Sequence, residues 1–216
     1  MRRLAIASLA VPLALLLAAA PVAASSPKSL VLPPTPGLTG YLGTALWNWA
    51  VSIPPDENPL AVSNCNADQT GLVFYVFNTY FGNTLSEDCS VTAGRWLFVS
   101  PGGTECSIAE GNGPTVADLK TCVATQKAEL SGVATWIDGR PIPNIDRYYA
   151  ESGPFVWHVP DGNLFGVPAG DTISVSGVWG MLVLLPVGVH TIVNEDTLAG
   201  AGVAEVIATV TVSPRH

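Results

Sequence analysis

The chain alternates between stretches that are apolar at every position and stretches that are apolar on one side only. Residues 71–77 (GLVFYVF) are apolar on both sides and rich in strand-forming residues, so we expect a central strand there. A second strand is expected at 95–99, and a third at 172–185, where an alternating pattern becomes apolar throughout. Residues 203–212 alternate cleanly, which predicts a strand with one face, including Val206, in the core.

Two stretches in the first half of the chain favour helices. Residues 115–130 carry a capping-box pattern, with Thr115 as the N-cap and Asp118 three residues later, and Gly132 beyond the end. The residues of this helix that we expect to face inward are Val116, Leu119, Val123 and Leu130. Residues 39–52 fit either a helix capped by Thr39 or a strand, and the longer run of helical spacing favours the helix.

The second half of the chain shows strand patterns only. Asp138-Gly139 is typical of a type I′ hairpin turn, and Gly177 and Gly180 predict a bend or bulge. Further strands are expected at 133–138, 155–159 and 189–193. The fold class is therefore mainly β, with one or two helices in the N-terminal half: a single β-sandwich, Ig-like or jelly-roll-like, spanning residues 39–213.

The first 24 residues have the pattern of a signal peptide. Arg2 and Arg3 precede an uncharged apolar run at 4–20, and small residues at 22–24 offer a cleavage site. A membrane anchor is the alternative, but Pro12 interrupts the run and no positive flank follows it. We expect secretion to an extracellular or periplasmic location, a flexible lead-in at residues 25–38, and no membrane insertion after cleavage.

Four cysteines behind a signal sequence predict two disulfides. Cys65, Cys89, Cys106 and Cys122 allow three pairings, of which Cys65–Cys89 and Cys106–Cys122 close the most compact loops. The spacings lack the close pairs of a zinc site, and no histidine–cysteine cluster supports zinc.

The acidic composition excludes several classes of partner. Without Arg2 and Arg3 the chain has 7 basic and 17 acidic side chains, so we expect no binding to nucleic acid or anionic lipid. Adjacent acidic pairs, which are Asp56-Glu57, Glu87-Asp88 and Glu195-Asp196, are interpreted as solvated faces. The sequence sets no oligomeric state.

Several short segments carry a resemblance to a known group of proteins. They are Trp47-x-Trp49, Ser52-Ile53-Pro54, Asn58-Pro59, Cys65, Asp138-Gly139-x-Pro141-Ile142-Pro143-Asn144 and Gly188-Val189-His190-Thr191-Ile192. Across residues 41–212 the chain resembles an uncharacterised group of secreted bacterial proteins, and its last segment resembles the closing hairpin of bacterial Ig-like sandwiches. The resemblance implies secretion and a sandwich fold, and it implies no site residue.

Candidate catalytic residues are few. His158 precedes a turn that contains Asp161, so it could act as a general base oriented by a carboxylate. A lyase could use Arg147 and Tyr148, in the loop between Asp146 and Glu151, but a loop packed by two tyrosines and an ion pair is the favoured interpretation. His190 is expected to be a structural histidine on a strand. No G-x-S-x-G turn indicates a serine hydrolase.

Candidate binding residues are aromatic or rich in oxygen. Of six tryptophans, Trp47 and Trp157 are the best candidates for exposure, together with Tyr148, and exposed rings suit stacking on sugars. Asn64, Asn66 and Asp68 place oxygen atoms at alternate positions, as in half of a calcium loop. A turn rich in Asx residues is the favoured interpretation, so calcium is a weak candidate and no other cofactor is expected.

The first hypothesis for function is a secreted, non-catalytic binding or structural protein whose ligand is a carbohydrate or a cell-surface polymer. The alternative is a secreted hydrolase or lyase that acts on a polymer through His158 and the Asp146–Glu151 loop. A third hypothesis is a self-assembling surface component, suggested by the low charge. A concave site with two titrating groups within hydrogen-bonding reach would favour an enzyme.

Overall fold

The computed structural model describes residues 28–79 and 82–215, so the predicted signal peptide at 1–24 lies outside the described residues. The helices are Pro36–Ser52 (α1) and Val116–Glu129 (α2), with a short 3-10 helix at Ile145–Tyr148. The strands are Leu30–Val31 (β1), Val73–Phe77 (β2), Thr84–Thr92 (β3), Trp96–Ser107 (β4), Leu130–Ile137 (β5), Arg140–Pro141 (β6), Tyr149–Glu151 (β7), Phe155–Val159 (β8), Gly170–Leu184 (β9), Gly188–Leu198 (β10) and Gly202–Ser213 (β11).

Two sheets pack face to face, which confirms the predicted mainly-β sandwich. The first has the order β1-β9-β4-β2, and β7 and β8 also pair with β9. The second has the order β3-β11-β10-β5-β6. Alternate residues of β11, including Val206 and Val210, are buried against Val99 and Met181 of the first sheet, as the alternating pattern predicts. The core therefore lies between the inner faces of the two sheets.

Helix α1 covers the outer face of the first sheet, and this confirms the helical interpretation of residues 39–52. It begins earlier than expected, after Thr35, so the prediction that Thr39 caps it is wrong. Thr39 instead donates from its Oγ1 to the carbonyl of Gly180 at 3.1 Å and ties the helix to β9. Leu46 is fully buried beneath the helix.

Helix α2 begins with the predicted capping box. The main-chain N–H of Thr115 donates to Asp118 Oδ2 at 3.0 Å, and the N–H of Asp118 donates to Thr115 Oγ1 at 3.3 Å. Leu119 and Val123 are buried as expected, but Val116 is exposed at the first turn. Leu130 is half-buried and begins β5 directly, so the helix ends one residue before the expected boundary.

Both expected disulfides are present, Cys65–Cys89 and Cys106–Cys122, and the second joins α2 to β4. Such bonds form in oxidising compartments. The Asp138-Gly139 turn is confirmed as well: φ is 51° at Asp138 and 72° at Gly139, the left-handed values that a type I′ turn requires. His190, a predicted structural histidine, pairs its Nδ1 with Asp138 Oδ2 at 2.9 Å and its Nε2 with the Pro186 carbonyl at 3.0 Å.

Two expectations about the strands are wrong, and one observed strand was not predicted. Strand β2 is an edge strand rather than a central one, and it pairs in parallel with β4. Its outer face is apolar because it lies against α1. Strand β3 has no counterpart among the expected strands. The bulge is not at Gly177 or Gly180, which leave room for the rings of Tyr149 and Phe98, but in β4 between Val99 and Gly102.

Candidate functional site

The predicted catalytic histidine lies on an exposed strand. The side chain of His158 is 67% exposed, and its Nδ1 is 2.8 Å from Oδ1 of Asp171, on the neighbouring strand, instead of the expected Asp161. The exposed Asp161 lies in the turn after β8.

The second half of that hypothetical enzyme site is far from the histidine. His158 lies opposite Asp171 in β9, whereas Tyr149, next to Arg147 and Tyr148, lies opposite Trp179. At about 3.4 Å per residue, the two positions on β9 are roughly 27 Å apart. Arg147 and Tyr148 belong to the 3-10 helix, and the half-buried Tyr148 packs against the sandwich core. The structure therefore does not bring His158 together with the 146–151 loop.

The expectation that Trp47 and Trp157 are exposed is wrong. Trp157 is fully buried, and its Nε1 donates to the main-chain carbonyl of Trp47 at 3.1 Å. Trp47 itself is 4% exposed and packs edge-on against Phe77. Both rings fill the space between α1 and the first sheet, because α1 lies over β8, a contact that no local sequence pattern indicates.

In the candidate calcium loop, the side chains of Asn64 and Asn66 bond to the protein's own main chain. Asn66 accepts from the N–H of Ser90 and donates to the carbonyl of Asp88, each at 2.8 Å, so its amide pairs with β3. Asn64 donates to the carbonyl of Glu57 at 3.0 Å, and Asp68 takes a left-handed φ of 42°. These contacts are those of the turn rich in Asx residues, which was the favoured interpretation.

A cavity of about 220 Å³ lies beside the part of β4 that extends beyond β2. Its walls come from elements that are distant in sequence: α1, β4 and the turn after it, α2, β5, β10, β11 and the loops that carry Thr79 and Phe165. The polar side chains that line it are Trp47, Thr79, Thr104, Glu105, Glu110, Gln126 and Asp196, with Glu129 at the end of α2. Four of the lining residues are acidic, and none of those described is Lys, Arg or His.

One edge of β4 is open at this cavity. Strand β2 pairs with β4 only as far as Ser100. Beyond it, the main-chain groups of β4 point in turn toward β9 and away from it, as in any antiparallel pair. The N–H and carbonyl of Ser107 point away from β9, because both bond to the turn that follows β4, so the groups of Gly102, Thr104 and Cys106 are those that bond to β9. By the same alternation Gly103 and Glu105 direct their N–H and carbonyl groups outward, without a main-chain partner among the described residues.

Two carboxyl groups meet at the rim. Glu105 is 7% exposed, and its Oε1 accepts from Ser174 Oγ. The exposed Glu110 accepts from the N–H of Ser107 at 3.0 Å and from its hydroxyl at 2.9 Å, and its carboxyl lies within hydrogen-bonding reach of Glu105. Burial, followed by the negative charge of Glu110, raises the pKa of Glu105 well above its usual range. Glu105 therefore holds a proton near neutral pH.

Asp196 contributes a third carboxyl group from β10. Asp196 is 7% exposed, and this burial raises the pKa of its carboxyl group to about 7. A hydrogen bond from Asn78 lowers the pKa, but its effect is smaller than that of burial. The neighbouring Gly102 makes this position possible, since a Cβ there would lie 2.9 Å from Asp196 Oδ2. The interpretation of the adjacent acidic pairs as solvated faces is wrong for one residue of each of two pairs, Asp196 and Glu87, which are buried. Both lie on strands, where neighbouring side chains point to opposite faces, so one residue of each pair points inward.

Two buried polar atoms on side chains that line the cavity have no hydrogen-bond partner among the described residues. They are Trp47 Nε1 and Thr104 Oγ1, on side chains that are 4% and 6% exposed. A buried donor without a partner destabilises a fold by about 1–3 kcal/mol, so such atoms are rare and call for an explanation. Here both side chains belong to residues that line the cavity.

Sequence reasoning missed this site for an identifiable reason. Pro101-Gly102-Gly103 is typical of a turn, so the expected strand stopped at Val99, and Glu105 had no assigned face. Cys106 was the signal that could have extended the expected strand. If Cys106 bonds to Cys122 of α2, the residues around it must belong to an element that packs against that helix.

Comparison with known proteins leaves the chain unassigned: no family model and no curated protein matches it. Among solved structures it is similar to a chain described as "Structure of PbICP-C in complex with falcipain-2", with a TM-score of 0.28 and 14% identity, covering 66% of this chain and 100% of that one. A TM-score this low carries no argument. Within residues 28–79 and 82–215, no helix has the length and apolar character needed to cross a membrane.

Proposed function

We propose that the protein is a secreted binding protein that takes a small, hydroxyl-rich ligand, a sugar, in the cavity beside β4. The observation that carries the proposal is a pair of polar atoms, Trp47 Nε1 and Thr104 Oγ1, that have no hydrogen-bond partner among the described residues and belong to side chains lining the cavity. A sugar hydroxyl both donates and accepts, so it can pair with an indole N–H, with a hydroxyl and with a protonated carboxyl group.

The cavity dimensions support a small ligand. Its volume of about 220 Å³ lies below the roughly 300–1,000 Å³ of sites for drug-sized molecules, which suits one sugar ring, free or at the end of a polymer. Trp47 and Phe165 supply apolar surface, and the outward main-chain groups of Gly103 and Glu105 supply further donors and acceptors. The signal-peptide pattern and the two disulfides support secretion.

The test is a titration of the purified protein with a panel of monosaccharides, followed by calorimetry. Thr104→Val keeps the shape of the side chain and removes its hydroxyl, so we expect about a fivefold loss of affinity. Thr211→Val, the same substitution at an exposed position of β11, is the matched control and should change nothing. If no sugar binds, or if Thr104→Val binds as tightly as the wild type, the proposal is wrong.

The buried carboxyl group of Glu105 favours a second candidate function, a secreted hydrolase that cleaves a glycosidic bond. Burial keeps Glu105 protonated near neutral pH, which is the property of a general acid. Release of soluble sugars from a polysaccharide panel would support it. Glu105→Gln should then lower turnover by roughly 10²–10⁴-fold while binding is kept.

A further inference from the structure

We propose that the ligand of this cavity carries a protonated amine, so that the sugar is an amino sugar, and that the Glu105–Glu110 pair binds its ammonium group. This inference rests on the proposed function and names the chemistry that distinguishes the ligand from other sugars.

The charge of the cavity is the first argument. Glu105, Glu110, Glu129 and Asp196 line it, and no basic side chain is among the described lining residues. A neutral sugar would leave the ionised carboxylates among them without a counter-charge. An ammonium group would balance one ionised carboxylate and strengthen the hydrogen bonds around it.

The hydrogen-bonding capacity of the wall is the second argument. An ammonium group donates three hydrogen bonds and accepts none. The described protein donors reach only Oε1 of Glu105 and Oε2 of Glu110, so each carboxyl keeps one oxygen for a ligand. The outward carbonyl of Gly103 is a further acceptor, and Thr104 Oγ1, which has no partner among the described residues, lies on the opposite face of β4.

The proton on Glu105 is the third argument. Burial, followed by the negative charge of the neighbouring Glu110, raises the pKa of Glu105 and keeps its carboxyl group protonated near neutral pH. When an ammonium group enters, this proton leaves to solvent and the ammonium takes its place between the two groups. Binding should therefore release up to one proton per ligand.

The experiment compares four probes by calorimetry near pH 7: glucosamine, glucose, N-acetylglucosamine and the plain diamine cadaverine. We expect glucosamine to bind about tenfold more tightly than glucose or N-acetylglucosamine, as a charge-assisted pair predicts. Repeating the titration in two buffers of different ionisation enthalpy measures the released proton. Glu105→Gln should abolish both the preference and the proton release, whereas the exposed control Glu57→Gln should keep both.

Each outcome has one meaning. If glucose or N-acetylglucosamine binds as tightly as glucosamine, or no proton is released, the ammonium inference is wrong and the sugar site stands. If cadaverine binds as tightly as glucosamine, the ammonium site stands and the sugar proposal fails. If none of the four binds, both proposals fail. Because proton release is measured on the wild-type protein, the test does not depend on the folding of a variant.

Discussion

Replacing Asp196 by Asn should make the protein more resistant to unfolding at alkaline pH. Burial raises the pKa of Asp196 from 3.8 to about 7, so the folded protein holds this proton more strongly than the unfolded chain does. The stability that comes from the protonated form is complete below about pH 4 and is lost as the pH rises through 7. An asparagine side chain at this position would stay neutral at every pH, with nearly the same shape, so Asp196→Asn should not suffer this loss.

The size of the effect follows from the raised pKa. A change from 3.8 to about 7 corresponds to about 4 kcal/mol, at roughly 1.4 kcal/mol per pH unit. Asp196 faces a cavity that admits water, which lowers the cost of ionisation, so we expect a difference of about 2–4 kcal/mol. The free energy of unfolding of Asp196→Asn, relative to the wild type, should rise by this amount between about pH 4 and pH 8.

Urea unfolding followed by circular dichroism at about pH 4, 6 and 8 measures this difference. The exposed Asp56 provides the matched control, since Asp56→Asn makes the same chemical change away from the cavity and should show no pH-dependent gain. Glu87 and Glu105 also have raised pKa values and destabilise the wild type at high pH, but they are present in both proteins and cancel. A difference between Asp196→Asn and wild type that is equal at all three pH values would refute the reasoning.

Three further predictions concern stability. Cys106→Ser, Cys122→Ser and the double variant should each lose about 3 kcal/mol in urea unfolding, because all three remove one cross-link, and additive losses would contradict this. Trp157→Ala should lose about 3–5 kcal/mol, since the ring is fully buried, and an unchanged Tm would show that the core tolerates the cavity. His158→Ala should leave both Tm and sugar affinity unchanged, because the ring and its Asp171 partner are exposed, and a loss of affinity would place this edge in the binding site.

The features that the sequence predicted correctly are those set by neighbouring residues. The capping box of Thr115 and Asp118 and the left-handed turn at Asp138-Gly139 depend on four residues or fewer. The alternating pattern of β11 identifies its buried face because strand residues point to opposite sides in turn. The disulfides follow from the cysteine spacing, since the compact pairing is also the observed one.

The features that could not be predicted depend on which elements meet. Trp157 is buried because α1 covers β8, and the spacing of residues within β8 contains no sign of that contact. The site itself combines Glu105 of β4 with Asp196 of β10, which are separated by most of the second half of the chain. An acidic residue in a strand pattern looks the same whether its face is solvated or encloses a cavity, so the burial of Asp196 required the structure.

The cavity and the open strand edge have one structural origin, the bulge in β4 at Ser100 and Pro101. Pro101 has no N–H and therefore cannot continue the pairing of β4 with β2. The last main-chain bond between the two segments runs from the N–H of Asn78 to the carbonyl of Ser100. The bulge shifts the register against β9 by one residue, so Gly103 and Glu105 turn their main-chain groups outward where no strand follows. Gly102, without a side chain, lets the carboxyl group of Asp196 approach the same edge. A short Pro-Gly-Gly segment thus ends the pairing, exposes main-chain groups and admits a buried acid, and these are the three conditions that the proposed binding site needs.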